Sequence, residues 1–258
     1  MKRAGVVALN TFREAVRDRV LYNLLFFALV MMAAAILVGQ ISIGIEETVI
    51  KSLGLSAISV IGVLIAVFIG VGLVYKEMDK RTLYALLAKP VRRWEFLLGK
   101  FAGLVLTLAV NTAAMAVGLF ATLLYVKPHL ERADAVLLVA IYFILLKLML
   151  VVALALLFSC YSTPLLAILY TSAFYLAGQF VVEMRTFRLT TARPAMEVFL
   201  HALSYVLPNF QNFNASGEAT HGQAIPGALI LHNTIYTAVY CGLLLLIATA
   251  VFSRRNLK

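Results

Sequence analysis

The sequence predicts an all-α integral membrane protein with six transmembrane helices, and three observations carry that prediction. First, 63% of the 258 residues are hydrophobic and 13% are charged, whereas a soluble domain carries about 25% charged residues. A chain of this length cannot hide so much apolar surface from water, so lipid is its solvent. Second, six stretches are apolar over the roughly 20 residues that a helix needs to cross a bilayer: 21–42, 55–74, 101–126, 135–159, 164–183 and 228–252. Third, Lys and Arg are divided unequally between the connecting segments, the bias that orients membrane proteins. The chain is read as a single transmembrane domain over 1–258.

Residues 4–20 read as an amphipathic helix lying in the membrane interface. Leu9, Phe12, Val16 and Val20 recur at helical spacing, with Arg13, Glu14, Arg17 and Asp18 largely on the other side. It serves either as a surface anchor or as a platform that passes force to the first span. That span, beginning LYNLLFFALVMMAAAILVG, lies too far from the N-terminus for a cleaved signal peptide and is read as uncleaved.

Of the 22 Lys and Arg residues, fifteen fall in the N-terminal arm, the 75–100 segment and the C-terminal tail. Six fall in the other connections, and Lys147 lies within a span. The basic side is expected to be cytoplasmic, with the chain in the inner cell membrane and both termini inside. An even number of spans meets that requirement. The net charge of +10 is spread between apolar stretches, so it is read as orientation in the bilayer and not as a nucleic-acid surface.

The 75–100 segment, YKEMDKRTLYALLAKPVRRWEFLLGK, has helical propensity over 77–88, with Met78, Leu83, Leu86 and Leu87 as its apolar positions. Pro90 ends that helix, because it lacks an N–H and restricts the residue before it. A second helix starts near Arg92 and leads into the third span. The result is a compact elbow on the cytoplasmic side.

The longest connection, 184–227, faces the opposite side. Pro194 suits a first helical turn, and AMEVFLHALSYVL at 195–207 would be about 20 Å long, too short to cross. Pro208 ends it. A short re-entrant or interfacial helix is therefore expected before the last span, followed by a polar stretch of low regularity, NFQNFNASGEATHGQ.

Little in the sequence carries chemistry. No span holds an Asp or Glu well inside it, which argues against an ion-coupled carrier. His129, His201, His221 and His232 are scattered, and neither HExxH nor GxSxG occurs. Cys160 and Cys241 have no partner at metal-ligand spacing and are read as small buried side chains. Gly99-Lys100 is followed by Phe101 and preceded by Trp94 where a phosphate-binding loop needs its first glycine, so no nucleotide site is present. The chain is not expected to be an enzyme, to bind a cofactor or to hold a metal. If ATP drives it, another chain binds the ATP.

Lys147 stands out, because a lysine near the middle of a span costs about 2.5–3.5 kcal/mol on insertion scales. Asn111, Tyr175 and Tyr240 lie at similar depth. Either Lys147 makes a polar contact on a substrate path or subunit interface, or it is a structural lysine, satisfied by carbonyls and hydroxyls or held neutral. Small residues four apart (Ala35/Gly39, Ala114/Gly118, Ala173/Ala177) are read as helix-packing positions.

The stretch Lys76-Glu77-Met78-Asp79-Lys80-Arg81-Thr82-Leu83, continued by Leu86-Leu87-Ala88-Lys89-Pro90-Val91 and by Arg93-Trp94-Glu95-Phe96-Leu97-Leu98-Gly99-Lys100, resembles the permeases of ABC type-2 exporters. The similarity is nearest the branch associated with multicopper enzyme maturation. As architecture it extends to nearly the whole chain. Arg81 departs from the pattern, standing where many members have glycine. The resemblance implies a homodimer of permeases bound to two ABC ATPase subunits, which hold the ATP and Mg, and it makes the first cytoplasmic loop a coupling helix that docks in a groove on the ATPase. Carried over, Glu77 to Leu87, with Thr82 among them, would be the docking segment: the charges of Glu77, Asp79, Lys80 and Arg81 would set its orientation, and Leu83, Leu86 and Leu87 would fill the groove. The expected function is the permease subunit of an ATP-driven exporter. The alternative is a non-transporting scaffold that relays ATPase motion through 184–227 to an extracytoplasmic partner.

Overall fold

The computed structural model describes residues 2–41, 44–79, 93–127, 129, 131–186 and 194–254. Among them there is no strand. The helices are α1 (Lys2–Val16), α2 (Arg19–Ile41), α3 (Glu46–Asp79), α4 (Arg93–Val126), α5 (Val136–Ser159), α6 (Pro164–Gln179), α7 (Val181–Thr186), α8 (Pro194–Val206), α9 (Ser216–Thr220) and α10 (Gly227–Arg254). Single 3₁₀ turns occupy Arg132–Ala135 and Gln211–Phe213. Among the described residues, five helical stretches are long and apolar enough to cross a membrane: Arg19–Gly39, Glu46–Leu73, Trp94–Val126, Ala133–Ser159 and Gly227–Ser253.

The remaining apolar stretch, 164–183, does not form one helix of that length. Pro164 starts α6 at a position where its missing N–H costs nothing. The helix stops after 16 residues, about 24 Å. Phe180 then leaves helical geometry, at φ −101° and ψ 14°, and α7 follows after that break.

Helix α5 is the axis of the bundle. Its sequence is apolar on every side, and buried residues occur all around it. It runs parallel to α3, where Gly62 and Gly70 admit its side chains: a Cβ at Gly62 would lie 2.8 Å from Leu148 Cδ1, and one at Gly70 would lie 3.1 Å from Ala155 Cβ. The rim helices bury one stripe only. In α10 the stripe is Asn233, Thr237, Cys241, Leu244, Ala248 and Phe252, while Leu231, Ile235, Val239, Leu243 and Leu246 are exposed. An exposed apolar face of that length is what a lipid surround accepts and water does not.

In helix α1 Leu9 is exposed, while the opposite, small-residue face packs on α4. A Cβ at Gly99 would sit 2.7 Å from Val7 Cβ, and one at Gly103 would sit 2.5 Å from the Ala8 carbonyl oxygen. Thr11 and Ala15 are fully buried there. Lys100 Nζ lies 3.9 Å from Glu14 Oε2 across the same contact. Asp18 ends the arrangement by accepting a 3.0 Å hydrogen bond from the Val20 amide, which caps α2. The start of α4 also meets the end of α10, where the Phe96 and Phe252 rings stack at 6.3 Å. Both terminal helices thus reach the same end of the bundle.

The opposite end is tied by ion pairs. Lys51, on α3, meets Asp134 at 2.6 Å, and both are buried. Asp134 Oδ2 also accepts the Glu131 amide at 2.8 Å. Lys127, just past α4, reaches Glu131 at 2.7 Å and Glu47 at 3.2 Å. Its hydrogen bond to Glu131, opposed by desolvation and reinforced by Glu47, holds the ammonium above its ordinary 10.5.

Candidate functional site

The site grows from the position of Lys147 on the central helix. Packed within the bundle on α5, the Lys147 side chain is 7% exposed. It reaches towards α3 and donates a 2.5 Å hydrogen bond to Ser59 Oγ. Beyond that pair the helices part, leaving a cavity of about 220 Å³. Leu55, Ser56, Ser59 and Val60 of α3 form one wall, Ala140, Ile144 and Lys147 of α5 another, and Tyr175 and Gln179 of α6 a third.

The roof is the polar stretch after α8. Phe210, Phe213, Asn214, Ala215 and Ser216 close the cavity from the end opposite the termini. Sequence reading expected low regularity here, yet Leu207 through Phe210, Phe213, Ala215 and Ala219 are all buried. By contrast α8, the apolar helix expected to be re-entrant or interfacial, leaves Val198, Tyr205 and Val206 well exposed.

Several contacts hold the roof in place. The Phe210 amide donates to the Gly178 carbonyl at 3.2 Å, and a Cβ at Gly178 would lie 2.5 Å from the Pro208 carbonyl oxygen. Phe210 packs its ring 5.1 Å from that of Tyr175. Asn209 receives Tyr236 of α10 on its backbone, its amide N–H donating to Tyr236 Oη at 3.0 Å, and Asn233 Nδ2 donates to the Asn212 carbonyl at 2.9 Å. The break after α6 is therefore where the returning chain lies directly against the helix.

Of the four residues singled out at similar depth, Lys147 and Tyr175 share this cavity. Asn111 turns back on its own helix and donates to the Thr107 carbonyl at 2.8 Å. Tyr240 Oη donates to the Val206 carbonyl at 2.6 Å, fastening α10 to the end of α8. Ser59, Gln179 and Ser216 were not anticipated, because a hydroxyl or amide in a helix or loop carries no sequence signal of what lies across from it.

Of the docking residues, Glu77 and Asp79 fall on the last turn of α3. Lys80, Arg81, Thr82, Leu83, Leu86 and Leu87 lie outside the described residues. The chain resumes at Arg93, and α4 runs from there without a break through Val126. The Gly99 and Gly103 contacts make the first turns of α4 the seat of α1. A Gly-x-x-x-Gly spacing was present in the sequence as the signal for that contact.

Residues 6–257 match the family model described as ABC-2 family transporter protein. No curated protein matches the chain.

Proposed function

The chain belongs to the ABC-2 transporter family, and on that premise we propose that it is the permease subunit of an ATP-driven exporter. It is a multi-pass membrane protein, and its family implies an ABC ATPase as partner. The observation that carries the proposal is the extent of the match, which takes in nearly the whole chain, together with a sequence that offers no phosphate-binding loop. In this reading the chain has no catalytic role of its own, and separate ATPase subunits hydrolyse ATP·Mg.

The basic end of the bundle is the cytoplasmic one in the inner cell membrane. The meeting of α1, the start of α4 and the end of α10 at one end supports that orientation. Six crossings follow, the fifth made by α6 with α7 across the break at Phe180. Two copies of the chain form the transporter. The segment from Glu77 to Leu87 docks in a groove of the ATPase, with Leu83, Leu86 and Leu87 as the apolar contacts. Its motion reaches the bundle through α3 on one side and through α4, with α1 clamped to it, on the other.

Co-purification of the chain with an ABC ATPase tests the pairing. Leu83→Asp with Leu87→Asp should abolish capture of that ATPase while leaving the permease folded in the membrane. Full retention of the ATPase by the double variant would sink the docking assignment. ATPase activity stimulated by a transported substrate separates export from a scaffold role, in which motion is relayed and nothing is carried.

A further inference from the structure

We propose that the cavity beside Lys147 is a binding site for an oxyanion such as a phosphate, sulfate or carboxylate group, free or as the headgroup of an anionic amphiphile. The proposal rests on the permease reading only in making that anion a cargo; binding stands on the cavity alone.

Charge comes first. Among the described residues, Lys147 is the only charged residue lining the cavity, and no Asp, Glu or His lines it. Its one hydrogen bond among the described residues goes to Ser59, a neutral hydroxyl. An ammonium has three N–H donors and no acceptor, so Ser59 leaves donors available on the cavity side. A charge held in a bundle core is normally paired. About two turns nearer the start of α3, Lys51 meets that requirement with Asp134; among the described residues no carboxylate does so for Lys147.

The neutral groups point the same way. Asn214 Oδ1 is already engaged by the Ser216 hydroxyl and by the Ser216 amide at 3.4 Å. What Asn214 has left to offer is its NH₂ group. Ser56 adds a hydroxyl, and the Tyr175 and Gln179 side chains, hydrogen-bonded to one another, complete the polar lining. A cation would meet the Lys147 charge with no acid to offset it, and an apolar guest would leave that charge desolvated. An oxyanion accepts hydrogen bonds at several oxygens and neutralises the lysine.

Size limits the guest. The cavity, about 220 Å³, has room for several waters and suits a headgroup or a small anion. Ser56 and Val60 of the cavity wall are exposed on the bundle flank, Val60 by 57%. A tail attached to a bound headgroup can therefore leave sideways into lipid.

The test uses the full-length purified chain in phosphatidylcholine nanodiscs. In one arm inorganic phosphate is titrated against chloride at matched ionic strength. In the other, phosphatidylglycerol replaces part of the phosphatidylcholine. The thermal midpoint as a function of anion content yields an apparent Kd. A rise with inorganic phosphate identifies a free anion, and a rise with phosphatidylglycerol alone identifies a headgroup; either supports the site. Lys147→Met should weaken the response at least about tenfold, the loss expected for a charge-assisted hydrogen bond. Ser56→Phe, at the exposed mouth, should weaken it similarly by blocking entry. Because it leaves the buried charge in place, it carries the test if Lys147→Met fails to fold. No rise above the chloride and phosphatidylcholine controls in either arm, or an equal rise in both variants, overturns the proposal. Binding is read on the chain alone, so failure here leaves the ATPase-pairing experiment untouched.

Discussion

Lys51 and Lys147 are buried to nearly the same degree, 5% and 7% exposed, and both sit at the contact between α3 and the α5 region. Their partners differ. Lys51 meets a buried carboxylate at 2.6 Å; Lys147 meets a hydroxyl at 2.5 Å and a cavity. A charge buried with its countercharge is part of the architecture, because removing either partner strands the other in a medium that cannot solvate it. A charge buried against a hydroxyl and open space strands no opposite charge when removed, and its countercharge can arrive from outside. Burial alone does not distinguish a structural lysine from a binding lysine; the chemistry across from the ammonium does.

The largest expected effect tests that contrast directly. Lys51→Met leaves Asp134 buried without its partner and should cost about 3–5 kcal/mol of unfolding free energy. Lys147→Met, equally buried, should cost only about 1 kcal/mol, the hydrogen bond to Ser59. Denaturant unfolding of the two variants side by side in the same detergent gives the comparison, and Lys51→Met with Asp134→Leu should recover most of the loss. If Lys147→Met is as damaging as Lys51→Met, both lysines are architectural and the distinction fails.

A smaller effect sharpens the Lys147 side. Leucine at position 178 would collide with the Pro208 carbonyl and the Phe210 ring. Gly178→Leu should therefore push the roof away from α6 and cost about 1–3 kcal/mol by overpacking. It should also blunt the anion response without disturbing the Lys51–Asp134 pair, as read by the thermal midpoint with and without phosphate or phosphatidylglycerol. A normal anion response in a folded Gly178→Leu protein would remove the roof from the site.

The smallest effect belongs to Lys127, which is paired at the exposed edge of the same ionic cluster. Lys127→Ala should shift the unfolding midpoint only marginally, and the shift should vanish at high salt, because exposed pairs are screened. The raised pKa fixes the sign of its pH dependence. The contribution is fully present below the ordinary 10.5 and is lost only as pH rises through the higher folded value. The wild-type advantage over Lys127→Ala should thus be lost on the alkaline side, above that range.

The two lysines also show how far the sequence could be read. Lys147 stood out because a lysine amid VLLVAIYFILLKLMLVV is conspicuous against its surroundings. Lys51, at the edge of an apolar stretch, read as an ordinary loop charge, because its partner lies 83 positions along the chain. Ser59 was invisible for the same reason, being 88 positions from Lys147. The stretch 209–223 read as an irregular polar connection, since Phe210, Phe213, Ala215 and Ala219 follow no helical or strand period; its burial comes from seating on Gly178 and α10. The seat of α1 was legible in principle, because Gly99 and Gly103 stand four apart. The N-terminal helix was instead read from its exposed apolar face.

By itself the sequence determined that the chain is helical, that lipid surrounds it, and where most of its long helices lie. Those properties depend on hydropathy summed over about twenty neighbouring residues, and neighbours in sequence suffice to evaluate that sum. Tertiary structure alone decided which lysine has a carboxylate, which has a cavity, and which segment closes that cavity. Each of these depends on a few atoms from distant parts of the chain meeting within hydrogen-bond range, and no local sum contains that information.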